Sequence, residues 1–300
     1  MKSLTIYILC HNRPDFARQA IRSAINQSVH SFQLIVSDNS SNDEVGHMVK
    51  QEFPAIRYIR RVPVLKPLDH FNRCIEEAGT DYFCLFHDDD VLEADFVEQL
   101  SRCISLFPGA IAYGCNARFE KAGRLEEGTS FRALRKYVTI DTPRKLAQRY
   151  FARGQTGIAP FPGYVYDRNL VDGSRFTGEG GKYADVTWLL RLAMKAPVVW
   201  VNAPLMIYRM HDSNDSNVES LRDRLRFLGF LKQNGQIFGS ALLSDYRFFI
   251  YKKILGRSAG LHPGRRLTAN TFMRNQRILR YLKPGYYRSM ALRTLVKWLA

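Results

Sequence analysis

Short apolar runs alternate with stretches of helical apolar spacing along the first third of the chain. Residues Leu4 to Cys10 form an apolar run rich in Ile and Leu, ended by the polar His11-Asn12-Arg13-Pro14, and predict a buried strand closing in a loop. Phe16, Ala20, Ile21, Ala24 and Ile25 then recur at helical spacing, with Asp15 as the expected cap. A second strand is predicted over 32–36, broken by the turn-rich Ser37-Asp38-Asn39-Ser40-Ser41-Asn42-Asp43. A helix to about Glu52, a strand at 56–59, a helix over 71–78 and a strand at 82–86 follow, the last running into His87-Asp88-Asp89-Asp90. Strands alternating with helices predict an α/β fold with a mainly parallel, Rossmann-like sheet flanked by helices. Ligands of such sheets gather outside the carboxyl ends of the strands. Asn12, Asp38 and the Asp88-Asp89-Asp90 run all fall just past strand ends, so they are expected to converge on one crevice.

Beyond Ala112 the periodicity loosens. A polar hairpin or loop is expected over 118–130, a helix over 142–152, and a loop over 154–163, which holds three glycines and two prolines. Residues 185–195 read as a helix with Trp188, Leu189, Leu192 and Ala193 inward, and 198–201 as a strand. From Val218 the pattern is helical, with breaks near Gly256–Gly264 and at Pro284-Gly285. The expected division is an α/β domain over 1–217 and a helical extension over 218–300.

Charge changes that picture more than composition does. The formal charge of +16 is concentrated in the extension, where 17 Lys and Arg face three Asp and Glu. Basic helical segments such as Tyr246-Arg247-Phe248-Phe249-Ile250-Tyr251-Lys252-Lys253 have the make-up of membrane-surface elements, with aromatic residues at the interface. Nucleic acid is the competing partner for so basic a segment, but no nucleic-acid-binding motif is present and none is expected as a partner. A plain helical cap with a solvated cationic face is the third possibility. No apolar stretch reaches the roughly 20 residues of a membrane span. The five cysteines are odd in number and lack a CxxC pair, which favours a reducing, cytoplasmic setting.

Three consecutive aspartates after an apolar strand repel one another unless something positive neutralises them. Carboxylate oxygens suit Mg2+ or Mn2+, which commonly bind through one or two carboxylates plus substrate phosphates. The alternative is a helix start with Asp90 as cap and Glu93 at the third helical position, which accounts for Asp90 but not for Asp88 and Asp89.

Over roughly Leu4 to Ser216 the chain resembles the family 2 glycosyltransferases, enzymes with the GT-A fold. The resemblance rests on Ile8-Leu9-Cys10-His11-Asn12-Arg13, on Leu34 through Asp43, and on Phe83 through Asp90, three segments in order. It implies a nucleotide-sugar site made by His11, Asn12, Arg13, Asp38, Ser40, Asn72, Asp88 and Asp89, with Lys66 or Arg73 as further candidates for a donor phosphate. His87 stands where many members carry the first aspartate, and Asp88 with Asp90 is the expected metal pair. Tyr183-Ala184-Asp185-Val186-Thr187-Trp188 resembles the acidic motif opening a helix, with Ala184 where the family has glutamate. The resemblance implies that Asp185 is the general base; capping of its own helix is the simpler role for the same residue. Tyr208-Arg209-Met210-His211 through Ser216 resembles the segment closing the catalytic domain, which makes His211 a candidate metal ligand and Arg209 a diphosphate contact.

The function so implied is inverting, metal-dependent transfer of a hexose from a UDP-, dTDP- or GDP-linked donor to a hydroxyl of a glycan or lipid-linked acceptor. Bacterial surface polysaccharide, including O-antigen, is the implied setting, with the enzyme cytoplasmic and peripheral on the inner membrane. Two other classes fit less well. A sugar nucleotidyltransferase would carry a Gly- and Lys-rich loop after the first strand, unlike His11-Asn12-Arg13-Pro14. The other is a non-enzymatic membrane adaptor whose α/β domain only binds nucleotide or a partner, which titration with nucleoside diphosphates, with and without Mn2+, discriminates.

Overall fold

The computed structural model describes residues 3–151, 156–212 and 220–259. Strand β1 (Leu4–Cys10) is buried at every position, as a strand covered on both faces must be. It leads into α1 (Pro14–Ile25), β2 (Gln33–Asp38), α2 (Glu44–Glu52), β3 (Arg57–Arg60), α3 (Pro67–Glu77) and β4 (Tyr82–His87). These four strands lie parallel in the order β3-β2-β1-β4. The chain continues through β5 (Val91–Leu92), α4 (Phe96–Leu106), β6 (Ala112–Lys121), β7 (Arg124–Leu125), β8 (Tyr137–Ile140) and α5 (Pro143–Phe151). It then forms β9 (Tyr164–Asp167), α6 (Arg168–Val171), α7 (Ala184–Leu192), β10 (Val198–Met210), α8 (Leu221–Gln233) and α9 (Gly235–Ala259).

Past β4 the sheet becomes mixed. Strand β9 inserts antiparallel between β4 and β6, β10 runs parallel to β6, and β5 closes the edge antiparallel to β10. One face packs Ile6, Ile8, Val36, Phe86 and Val165 against Ala17 and Ile21 of α1 and Phe96 and Leu100 of α4. On strand β9, Tyr164 and Tyr166 alternate with Val165 and therefore project from the opposite face. Gly114 on β6 admits these rings: a Cβ there would lie 2.7 Å from the Tyr164 ring and 2.9 Å from Trp200.

Several expectations are corrected in detail. Asp15 does not cap α1. Pro14 occupies the first helical position, where its fixed φ and missing N–H cost nothing, and Asp15 turns within the first turn to Arg18 at 2.5 Å. Asp90 does not open a helix either, because Val91 and Leu92 are claimed by β10 and the next helix starts at Phe96 behind Asp95. The hairpin or loop expected over 118–130 is a hairpin, in which the end of β6 pairs with β7 and turns through Ala122 and Gly123 at positive φ. Strand β10 runs on to Met210, well past the expected 198–201. In α9 the backbone break falls at Gly239 (φ 76°) and the helix continues through Gly256 to Ala259. The expected break at Pro284-Gly285 and all of Ser213 to Ser216 lie outside the described residues.

Two compact units divide the chain, residues 1–243 and 244–300. Within the first, α8 opens with a capping box between Ser220 and Asp223 and packs Phe227 against Phe151 and Tyr183 at 4.7 and 5.1 Å. Among the described residues no helix is long and apolar enough to cross a membrane. The five cysteines are buried and free.

Candidate active site

The turns after β1, β2 and β4 are stitched together at the carboxyl edge of the sheet. Asn12 adopts a left-handed φ of 56°, tolerable for a short amide side chain. Its backbone N–H donates to Ser40 Oγ at 2.8 Å, and its side-chain oxygen accepts from the Ser41 N–H at 2.8 Å. The His11 N–H donates to Asp88 at 2.9 Å, while its Nδ1 meets the Asn39 carbonyl at 2.7 Å and must therefore carry a proton. His11, Asn12, Arg13, Ser40 and Asp88 thus share one crevice, as the sequence suggests.

The acidic run is divided by its neighbours. Arg13 bridges two carboxylates, donating to Asp88 at 2.5 Å and to Asp89 at 2.6 Å. Burial pushes the Asp88 carboxyl up to about 7 even with Arg13 beside it. Burial also acts upward on Asp89, but His87, Arg13 and His211 outweigh it and hold that carboxyl below its usual value. Asp90 is raised well above the ordinary range by burial and by the adjacent Asp89 charge. One Asp90 oxygen accepts the Arg209 N–H at 3.0 Å, and the other, Oδ2, is buried without a hydrogen-bond partner. His87, Asp89 and Asp90 each offer a ligand atom within 4.8 Å of the others. Asp88 lies outside this group, engaged by Arg13 and His11. His211 stacks on Phe16 at 4.8 Å and its Nε2 contacts Asp89 at 3.1 Å. Arg209, a candidate for donor phosphate, is instead buried behind the run. It holds the carbonyls of Asp89 and Asp90, donates to Gln19 and covers the Phe16 ring at 4.7 Å.

On the nucleoside side, Asp38 is fully buried and already has four donors. Ser40 supplies its N–H and hydroxyl at 2.9 and 2.5 Å, Tyr58 its hydroxyl at 2.6 Å, and Arg60 its guanidinium at 2.7 Å. Its carboxylate therefore shapes the turn. Asn72 is likewise engaged, exchanging two hydrogen bonds with the Phe176 backbone at 2.8 and 3.1 Å and so fastening α3 to the segment before α7. Lys66 precedes α3, and Arg73 approaches Glu76 at 4.0 Å on an exposed surface.

Asp185 sits in the first turn of α7, half-buried, with its carboxyl raised to about 6 by burial. An aromatic layer links it to the acidic run. His87 lies 5.4 Å from Phe161, Phe161 5.6 Å from Phe176, and Phe176 stacks at 4.1 Å on Trp188, one turn along α7 from Asp185. Sequence reasoning had given His87 no role beyond displacing an aspartate, because a lone histidine at a strand end carries no spacing signal. Burial pushes the Tyr164 and Tyr166 hydroxyls well above their usual value, with the Asp185 charge a smaller contribution in the same direction.

Comparisons with known proteins bear on the family and the fold. The chain is 22% identical over 237 residues to the GalNAc(5)-diNAcBac-PP-undecaprenol beta-1,3-glucosyltransferase of Campylobacter jejuni, covering 77% of this chain and 73% of that one. Among solved structures it resembles S. aureus TarS in complex with UDP-GlcNAc, with a TM-score of 0.66 at 12% identity over 88% of this chain and 77% of that one. It also resembles the mannosyltransferase PcManGT from Pyrobaculum calidifontis in complex with GDP-Man and Mn2+, with a TM-score of 0.55 at 11% identity over 97% and 84% of the two chains. Residues 5–170, more than half of the chain, match the family described as Glycosyl transferase family 2. The protein belongs to that family: it is a glycosyltransferase with a GT-A fold.

Proposed function

We propose that the protein moves a sugar, with inversion, from a nucleoside-diphosphate donor to a hydroxyl of a lipid-linked or glycan acceptor, in a divalent-cation-dependent reaction with Asp185 as general base. The observation that carries the reading is Asp90, whose Oδ2 is buried without a hydrogen-bond partner and whose carboxylate offers an oxygen within 4.8 Å of ligand atoms of Asp89 and His87. A carboxylate oxygen left without a donor in the interior is costly, and a cation removes that cost. The residues present fit Mn2+ or Mg2+, held by Asp90 as the sequence suggested and by Asp89, with His211 steadying Asp89. When bound, such an ion neutralises the charge developing on the departing diphosphate.

The chain's own groups do the rest. Arg13 and the His11 N–H hold Asp88, which fixes the acidic turn against the loop after β1. Asn12, Ser40 and Asp38 set the rim that receives the nucleoside, and Asn72 holds the Phe176 segment beneath the sugar. Asp185, ionised above about pH 6, accepts the proton of the attacking hydroxyl. The Campylobacter relative is named for a polyprenol-diphosphate-linked substrate, and TarS and PcManGT hold UDP- and GDP-sugars, which supports the donor and acceptor classes. A lipid-linked acceptor gives the basic residues 218–300 a purpose at the cytoplasmic membrane surface.

The test is isothermal titration of the full chain with UDP, GDP and dTDP, with and without Mn2+, followed by transfer assays with the matching sugars. Asp90→Asn should lose cation-assisted nucleotide binding and transfer. Full activity in that variant removes the metal reading, and no nucleotide binding under any condition removes the enzyme–donor pairing.

A further inference from the structure

We propose that His87 is itself a ligand of the cation, and that its imidazole makes the site select Mn2+ over Mg2+. The inference rests on the metal reading above and goes beyond it in naming the third donor and its consequence. A nitrogen atom of His87 lies within 4.8 Å of carboxylate oxygens of both Asp89 and Asp90. Opposite ligands of a small octahedral cation stand about 4 Å apart, so only a slight contraction closes the three donors on one ion. The second, independent sign of a ligand is Asp90 Oδ2, buried and unpartnered in that group.

The ring is held where a ligand must be. His87 ends β4, paired in register with Leu9 of β1, so the strand fixes its Cα. Phe71 stacks on the imidazole at 6.0 Å and 18°, and Phe161 lies 5.4 Å away. Those walls limit the orientations open to the ring. The other histidine, His211, spends its Nε2 on Asp89 and steadies that carboxylate. The resulting set is two carboxylates and one imidazole, with the remaining positions left to phosphate and water. Mg2+ prefers all-oxygen ligands and gives up water reluctantly, whereas affinity for nitrogen donors rises from Mn2+ along the first transition row.

Mn2+ bound to the full-length protein without donor can be read directly by electron paramagnetic resonance. Electron spin-echo modulation from a coordinated imidazole 14N is expected in the wild type and in His211→Gln, and should vanish in His87→Gln and His87→Asp. With the free Mn2+ signal as readout, Mg2+ should displace Mn2+ at about tenfold lower concentration from His87→Asp than from the wild type. Wild-type Mn2+ with no 14N modulation overturns the proposal, whatever the variants do. So does modulation that persists in His87→Gln, or an unchanged Mg2+/Mn2+ ratio in His87→Asp. Failure of the wild type to bind Mn2+ at all is a different result, which overturns the metal reading and this inference with it.

Discussion

Asp185 carries two demands that pull its carboxyl in opposite directions. Ionisation is needed for a base, while burial favours the neutral acid and raises the group from its ordinary value to about 6. Below about pH 4 the residue is protonated in folded and unfolded chains alike, so its contribution to stability is then fully present. As pH rises toward 6 the unfolded chain loses the proton first, and stability falls until the folded group has ionised too. Asp185→Asn should therefore melt higher than the wild type at pH 8 and close to it near pH 4 by differential scanning fluorimetry. The same substitution should cut turnover about 100- to 10,000-fold, and wild-type kcat/KM should climb through about pH 6. Unchanged turnover would leave Asp185 as a helix-capping residue. Arg13 is a second residue whose loss can be anticipated. Arg13→Met strands Asp88 in the interior and should cost about 3 kcal/mol, read from urea denaturation without added cation. A cost near zero would mean that Asp88 finds another partner once Arg13 is gone.

Elements differ in how openly the sequence declares them, and the reason is the distance of the contacts that define each one. Strands β1, β2 and β4 are apolar runs bounded by polar turns, so local pattern suffices, and the crevice at their carboxyl ends follows from their being parallel. Strand β9 is only Tyr164-Val165-Tyr166-Asp167, and its antiparallel place between β4 and β6 depends on partners far away in the chain. Strand β10 is interrupted at Asn202 and Pro204, and Pro204 is accommodated at a register shift against β6. Asp90 looks like a cap until β10 captures Val91 and Leu92. The acidic run is thus legible as a site, while the division of labour within it depends on Arg13 arriving from the turn before α1 and on Arg209 and His211 arriving from the end of β10. The aromatic face is the part least visible in sequence, and it can be probed. Gly114→Ala would drive a methyl into Tyr164, Trp200 and Ala159, and overpacking of this kind costs about 1–3 kcal/mol. The guanidinium chloride midpoint should fall accordingly with an unchanged slope, and an unaltered midpoint would mean that the β6–β9 layer yields more easily than its close contacts imply.

For the molecule as a whole, the separation of charge is the property that remains to be used. Nearly all of the excess positive charge lies after residue 217, while the residues before it are close to balanced. On α8 the exposed positions include Arg222, Arg226 and Lys232, and the inward Phe227, Leu228 and Leu231 are buried. The apolar side of that helix is therefore committed to the protein, and three of its four cations remain outward, Arg224 being buried. A basic surface of this kind gains about 1 kcal/mol per Lys or Arg near an anionic bilayer, and the gain decays over a Debye length of roughly 10 Å at 0.1 M salt. The full-length protein should therefore co-sediment with vesicles containing phosphatidylglycerol and not with pure phosphatidylcholine, and raising salt toward about 1 M should release it. Reversing Arg222, Arg226 and Lys232 to Glu should abolish sedimentation without lowering transfer to a water-soluble acceptor analogue, since all three are exposed on α8 and none belongs to the acidic run or its partners. Binding that survives high salt would point instead to an apolar anchor, and equal binding to neutral vesicles would remove the electrostatic account altogether.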